Sequence, residues 1–280
     1  MGKFDSYKGG KPSGQPLAVK SRADALTSAE GDRHARYIAR AKEAEAAGKL
    51  PGSARAGQFA IALDATGSMA SLIDDARQNI TTILNRIYEE AKTSVRIRIY
   101  VYRDYDVRHI ICESSSLTAD AQELARWLAR VRVSGGGAND GEAIEAVLEA
   151  IHDAGEASAV LLAGDEPSNP RTDLDARGLQ DKSTAHDWAR RFAQKGVPIH
   201  TFAVEDDPRT VRDFQELAQL SEGRAGRLDG SAAMIDMAVM AMLSSLQGSA
   251  SVRRYMERHA LSENARKFGN LLLTGPKSER

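Results

Sequence analysis

Short apolar segments alternate with longer amphipathic segments between residues 58 and 247, and this alternation constrains the fold more than any other feature of the chain. Segments 58–64, 94–102 and 158–163 are short and apolar, which is typical of strands. The segments between them, such as 71–92, repeat their apolar residues at helical spacing. Strands that alternate with helices predict an α/β fold, a doubly wound and mostly parallel sheet with helices on both faces. Segment 107–112 is expected to pair with 94–102 as an antiparallel edge strand.

The composition changes along the chain and suggests four parts. Residues 1–20 are rich in Gly, Pro and Lys and cannot bury much apolar surface, which predicts a disordered arm. Residues 21–56 contain an alanine-rich polar helix, and we interpret them as an N-terminal helical extension. Residues 57–247 carry the alternating pattern and form the expected domain. Residues 248–280 are interpreted as a basic helical tail.

The overall charge and the single cysteine argue against several classes of protein. Lysine and arginine number 38 against 39 acidic residues, which does not favour a nucleic-acid partner. One cysteine cannot form an internal disulfide, so nothing points to an oxidising compartment. The first fifteen residues lack the apolar run of a secretory signal, and no later stretch is apolar enough to span a membrane. We therefore expect a soluble, cytoplasmic protein that does not bind membranes.

Three predicted loops carry the candidate chemistry. In a doubly wound sheet the ligand crevice lies beyond the carboxyl ends of the strands, where Asp64, Asp165 and the glycine loop 135–137 all fall. The loop Asp64-Ala65-Thr66-Gly67-Ser68 presents one carboxylate and two hydroxyls, and such hard oxygen donors suit Mg²⁺, Mn²⁺ or Ca²⁺. The alternative interpretation is that Thr66 or Ser68 simply caps the following helix.

The Asp-x-Thr-Gly-Ser-Met sequence at 64–69 resembles the metal-ion-dependent adhesion site of von Willebrand factor A domains. Three later segments resemble, in the same order, the branch of that family found beside α-kinases and in bacterial relatives. They are Tyr102-Arg103-Asp104, the glycine loop followed by Glu142-Ala143-Ile144, and Leu161 to Pro167. The resemblance covers about residues 58–220 and leaves both ends of the chain outside it.

The resemblance implies a set of metal-binding residues. Asp64 would bind the ion, through water in some states. Ser68 would coordinate it directly, Thr66 would do so directly or through water, and Asp165 would hold the water shell of the ion. The second loop departs from the family pattern, because Ala138 stands where Thr or Asp is usual. We expect Asp140 to supply the missing oxygen, with Asn139 as the alternative. Next to this site, Arg103 and Asp104 are expected to form an internal ion pair or to contact a partner.

The resemblance also implies a function, which is binding without turnover. A carboxylate of a partner's Asp or Glu would complete the coordination of the ion. The expected partner is another intracellular protein and, by analogy with bacterial relatives, an AAA ATPase, a kinase or a phosphatase encoded nearby.

Two other functions are weighed against this one. The first loop also resembles the aspartyl-phosphate loop of haloacid-dehalogenase-like enzymes, in which Asp64 would be a nucleophile and Mg²⁺ would assist phosphotransfer. Ala65 stands where that loop carries lysine, which counts against the enzyme. The second alternative is a metal-free scaffold whose site is inactivated by Ala138.

Overall fold

A six-stranded sheet forms the centre of the protein. The computed structural model describes residues 57–107, 110–135 and 141–274. The strands are β1 Gln58–Asp64, β2 Arg96–Tyr102, β3 Cys112–Ser114, β4 Ala159–Gly164, β5 Ile199–Ala203 and β6 Ala225–Arg227, in the spatial order β3-β2-β1-β4-β5-β6. Every neighbouring pair is parallel except β2 and β3. The predicted fold class, a mostly parallel sheet with one antiparallel edge strand, is confirmed.

Helices cover both faces of this sheet, and the alternation of side chains along each strand explains why. Phe59, Ile61 and Leu63 of β1 point to one core, whereas Ala60 and Ala62 point to the other. A strand that is buried on both faces needs helices on both faces. They are α1 Ala70–Ala91, α2 Ala121–Leu128, α3 Ile144–Ala154, α4 Arg171–Ala176, α5 Ala185–Gln194, α6 Pro208–Leu220, α7 Ser231–Gln247, α8 Ser249–Arg258 and α9 Glu263–Leu273. In the described part of the chain, no helix has both the length and the apolarity of a membrane span.

The edge strand lies later in the chain than predicted. It begins at Cys112 and not at Val107, because the preceding segment is held by Arg103. The backbone N–H of Arg103 donates to the carbonyl of Ile111, and its guanidinium donates to the carbonyl of Ile110. The alternating pattern did not reveal these contacts. The short elements β6 and α4 were also not predicted.

The two C-terminal helices belong to the same core as the sheet. Helix α7 is buried without interruption from Ile235 to Leu243, so it is covered on all sides and not only on the side that faces the sheet. Val252 and Tyr255 of α8 and Phe268 of α9 are buried in the cluster that covers it. The domain boundary predicted at residue 247 therefore does not coincide with an edge of the core. The predicted arm and N-terminal extension lie outside the described residues.

A buried polar network fixes α8 to the rest of the fold. The Tyr255 hydroxyl donates to a carboxylate oxygen of Asp236 in α7 at 2.6 Å. Arg86 of α1 donates to the same oxygen at 2.6 Å and to the Tyr255 hydroxyl at 3.0 Å. Each charged or polar group of this network is thus satisfied by the other two, as burial requires.

Truncation of Phe268 tests whether the C-terminal helices are part of the folded unit. Phe268 is 1% exposed, so Phe268→Ala should lower the free energy of unfolding by about 3–5 kcal/mol. Leu271 lies on the same helix and is 44% exposed, so Leu271→Ala should change it by no more than about 0.5 kcal/mol. Urea unfolding of the full chain measures both. Equal, small effects would show that α9 does not contribute to the core.

Candidate functional site

The candidate site lies where the order of the strands reverses direction. Strand β1 is flanked by β2 on one side and by β4 on the other, and such a switch point opens a crevice beyond the strand ends. Leu63 pairs with Ala163 in the parallel register of β1 and β4. Asp64 is the last residue of β1, and Asp165 directly follows β4. The pairing therefore brings both aspartates to the same edge of the sheet.

The first loop presents its oxygen atoms as the sequence predicts. Asp64 is fully buried, and its Oδ1 accepts a hydrogen bond from the backbone N–H of Thr66 at 2.7 Å. Its Oδ2 has no hydrogen-bond partner. The hydroxyl oxygens of Thr66 and Ser68 are 3.3 Å apart. Ser68 is exposed, so this edge of the loop is open to solvent.

Neither hydroxyl acts as a helix cap. Thr66 precedes the 3₁₀ turn Gly67–Met69 and makes no side-chain capping bond, and Met69 occupies the cap position of α1. The capping interpretation of Thr66 and Ser68 is therefore wrong. Their hydroxyl groups face each other and remain available to a ligand.

Asp165 contributes a second buried carboxyl group. It is 8% exposed, and its Oδ1 has no hydrogen-bond partner. Its backbone carbonyl accepts from the hydroxyl of Thr210 at 2.8 Å, which fixes the turn after β4 to the start of α6. The backbone contact therefore fixes the position of Asp165, while one oxygen of its side chain has no hydrogen-bond partner.

The glycine loop is attached to the first loop by two backbone hydrogen bonds. The N–H of Ser134 donates to the carbonyl of Ala65 at 3.0 Å, and the N–H of Gly67 donates to the carbonyl of Gly135 at 3.2 Å. These bonds hold the start of the glycine loop beside Asp64 and Ser68. Asp140, with its alternative Asn139, lies outside the described residues and remains a prediction.

The carboxyl groups of the site are costly to ionise without a bound cation. Burial, reinforced by the charge of Asp165, raises the pKa of Asp64 to about 8. Burial also raises the pKa of Glu142 to about 9, and the nearby charges of Asp64 and Asp104 add to this effect. Glu142 is 3% exposed and its Oε2 has no hydrogen-bond partner. Buried carboxyl groups that repel one another, with oxygens free of other partners, fit a hard cation.

Glu142 is not among the residues that the sequence predicts to form the site. Its burial depends on a contact that is distant in sequence, since its backbone N–H donates to the carbonyl of Pro167 at 2.8 Å. Within the described ranges, no three His, Cys, Asp or Glu side chains form a cluster that could hold a metal by themselves. The predicted set does not require one, because two of its described donors are hydroxyl groups.

Tyr102 and Gly164 form the floor of the site. The Tyr102 hydroxyl donates to the carbonyl of Ala163 at 3.2 Å, and burial raises the pKa of this tyrosine well above its ordinary value. A Cβ atom at Gly164 would clash with the Tyr102 hydroxyl and would lie 3.4 Å from the Cβ of Asp64. Only glycine at position 164 leaves room for the ring beneath the two aspartates.

Arg103 and Asp104 are both internal, but they do not pair with each other. Arg103 is 3% exposed and forms an ion pair with Glu113 at 2.7 Å. Asp104 pairs with Arg177 of the turn after α4 at 3.6 Å. The expected Arg103–Asp104 pair is therefore wrong, because each residue reaches a different loop around the site.

The sequence of this region matches a known family. Residues 58–178 match the family model described as von Willebrand factor A domain. This segment is a von Willebrand factor A domain. No curated protein matches the chain.

Three solved structures similar to this A domain come from bacteria. An aerotolerance-related membrane protein from Bacteroides fragilis, whose crystallised form carries multiple mutations to serine, has a TM-score of 0.47 and 14% identity. The match covers 66% of this chain and 98% of that one. A von Willebrand factor type A protein from Catenulispora acidiphila has a TM-score of 0.48 and 13% identity, over 68% of this chain and 43% of that one. BatB from Bacteroides thetaiotaomicron has a TM-score of 0.43 and 16% identity, over 71% and 98%.

The charge of Asp64 can be tested without any ligand. Because the pKa of Asp64 is raised to about 8, this carboxyl group must take up a proton when the chain folds at pH 7, and this costs free energy. Asparagine keeps the oxygen that accepts from Thr66 and needs no proton. In the presence of chelator at pH 7, Asp64→Asn should therefore raise the free energy of unfolding by at least about 1 kcal/mol. Chemical unfolding of both proteins in chelator measures the change. A lower stability of the variant would show that the Asp64 carboxylate is already compensated by the protein.

Proposed function

We propose that this A domain is a metal-dependent module that binds another protein. The observation that carries the proposal is the pair of buried carboxyl groups of Asp64 and Asp165 at adjacent strand ends. Each has an oxygen without a hydrogen-bond partner, and the hydroxyls of Thr66 and Ser68 stand beside them. This donor set suits Mg²⁺, with Mn²⁺ or Ca²⁺ as alternatives.

The residues of the site have different roles in binding the ion. Asp64 lies at the bottom of the site and neutralises charge, whereas Ser68 lies at the open edge where a ligand enters. Asp165 lies across from Asp64 and holds the water shell, and Asp140 is proposed to supply the oxygen that Ala138 lacks. When bound, the cation offers a free coordination position to a carboxylate.

A carboxylate of the partner is the ligand that this arrangement favours. The charges of Asp64 and Asp165 together equal that of a divalent cation. If Asp140 stays outside the inner coordination shell, the cation therefore still attracts an incoming Asp or Glu side chain. Direct coordination by Asp140 would weaken that attraction. The partner is proposed to be an intracellular protein, with an AAA ATPase, a kinase or a phosphatase as the first candidates. The proposed location of the complex is the cytoplasm.

The proposal does not assign an enzymatic step to the site. Asp64 is buried, its Oδ1 is held by Thr66, and Ala65 occupies the position where an aspartyl phosphotransferase would need a cation near the phosphate. Hydrolysis of p-nitrophenyl phosphate in Mg²⁺, lost in Asp64→Asn, would support the phosphotransfer alternative instead.

Thermal melting with and without Mg²⁺ tests the metal site. A ligand at a hundredfold excess over its dissociation constant stabilises the folded state by about 2.7 kcal/mol, which is about 5–10 °C for a domain of this size. The wild type should show this rise, and Ser68→Ala should lose it. Ser71→Ala removes an equally exposed hydroxyl one turn further on and should keep the rise.

The same melts separate the remaining alternatives. No rise for the wild type in millimolar Mg²⁺, Mn²⁺ or Ca²⁺ would support the metal-free scaffold. A smaller rise in Asp140→Ala than in Asn139→Ala would support Asp140 as the oxygen donor, and the opposite order would assign that role to Asn139.

A further inference from the structure

Two exposed apolar residues lie on neighbouring loops near the proposed metal site. Within the described ranges, the exposed large apolar residues are Ile110 at 50%, Leu271 at 44% and Val133 at 37%. Leu271 is on α9, away from the carboxyl ends of the strands, whereas Ile110 and Val133 belong to the loops around the site.

The buried guanidinium of Arg103 brings these two loops together. It donates to the carbonyl of Ile110 at 3.2 Å and, through two nitrogens, to the carbonyl of Arg132 at 2.6 and 3.1 Å. One planar fork of donors can reach both carbonyls only if the two segments are adjacent. Glu113 neutralises Arg103 from the third side. The apolar pair is therefore held in place by the protein itself.

The apolar pair is continuous with the metal-binding edge. The residue after Val133, Ser134, donates its N–H to the carbonyl of Ala65, and the next residue, Gly135, accepts from the N–H of Gly67. Ala65 and Gly67 are the neighbours of Asp64 and Ser68. The backbone that follows Val133 therefore lies against the first loop, next to Ser68.

The loop that contains Val133 carries two exposed arginines, and the loop that contains Ile110 carries one exposed carboxylate, Asp106. Arg130 and Arg132 are exposed, and neither forms an ion pair with a residue that the structure describes. Together with Ile110 and Val133 they define a basic–apolar shelf. Acidic residues beside bulky apolar residues are the complement of such a surface.

We propose that the basic–apolar shelf docks a segment of a partner protein in which bulky apolar residues accompany acidic ones. The inference rests on the proposed function, because one of those acidic residues would be the carboxylate that reaches the metal. It adds that recognition extends beyond the metal and selects the residues around that carboxylate. The chain's own arm is a poor occupant, since residues 1–20 carry four lysines and one aspartate and would be repelled by the arginines.

Site-specific cross-linking of the full chain tests the shelf. A photo-cross-linking amino acid replaces Val133 in one protein and Leu271, which is similarly exposed, in a control protein. Both are irradiated in native cell extract with Mg²⁺ or with chelator, and the cross-linked peptides are sequenced. Val133 should give a peptide of another protein that combines Asp or Glu with bulky apolar residues, at a yield at least tenfold above that of Leu271.

A charge reversal tests the contribution of the arginines. Arg132→Glu, combined with the cross-linker at Val133, should reduce the cross-link at least tenfold and leave the Mg²⁺-induced rise in melting temperature unchanged. Arg254→Glu, on the exposed side of α8, is the matched control and should leave both unchanged.

Several results would overturn the shelf. They are a yield at Val133 no higher than at Leu271, a cross-linked peptide without acidic residues, a peptide from residues 1–56 of this chain, or no effect of Arg132→Glu. The proposed function fails separately. A shelf cross-link of the expected composition that persists in chelator would support the shelf and contradict the metal bridge.

Discussion

The parallel pairing of β1 with β4 brings two carboxyl groups together in a buried place, and the rest of the site depends on this juxtaposition. Asp64 is fully buried and Asp165 nearly so, and each has an oxygen without a partner. Two negative charges at such a place are costly unless a cation or protons neutralise them. The pKa of Asp64 is raised because of that cost when no cation is bound. A site of this kind is unfavourable alone and favourable when a cation is bound.

The surrounding structure holds this unfavourable arrangement in place. Tyr102 fills the space beneath the aspartates, and Gly164 leaves it room. Arg103 donates hydrogen bonds to backbone carbonyls of two neighbouring loops, and Glu113 neutralises its charge. Apart from the ion pair with Glu113, the hydrogen bonds of Tyr102 and Arg103 go to backbone carbonyls and do not occupy the carboxylate and hydroxyl oxygens of the site. The same contacts of Arg103 hold the backbone of the proposed basic–apolar shelf, so the proposed surface for the partner depends on one buried arginine.

Much of this could be predicted from the sequence, because strand and helix periodicities place the loops before any tertiary contact is known. Asp64 and Asp165 were found in this way, since each comes at or just after the end of a short apolar run. The burial of Glu142 could not be found, because it depends on a backbone contact with Pro167. The packing of α8 and α9 was missed although a signal existed. Helix α7 is apolar on nearly all sides, and such a helix must be covered on more than one side.

The central claim is that a divalent cation binds between the first loop and Asp165. The most direct measurement is a crystal structure of the full chain grown with Mn²⁺ and recorded with anomalous scattering from manganese. The account predicts one strong anomalous peak within coordination distance of the Ser68 hydroxyl, with Asp64 and Asp165 bound directly or through water. The absence of a peak at this place, with unshifted Asp64 and Asp165 side chains in well-defined density, would contradict it.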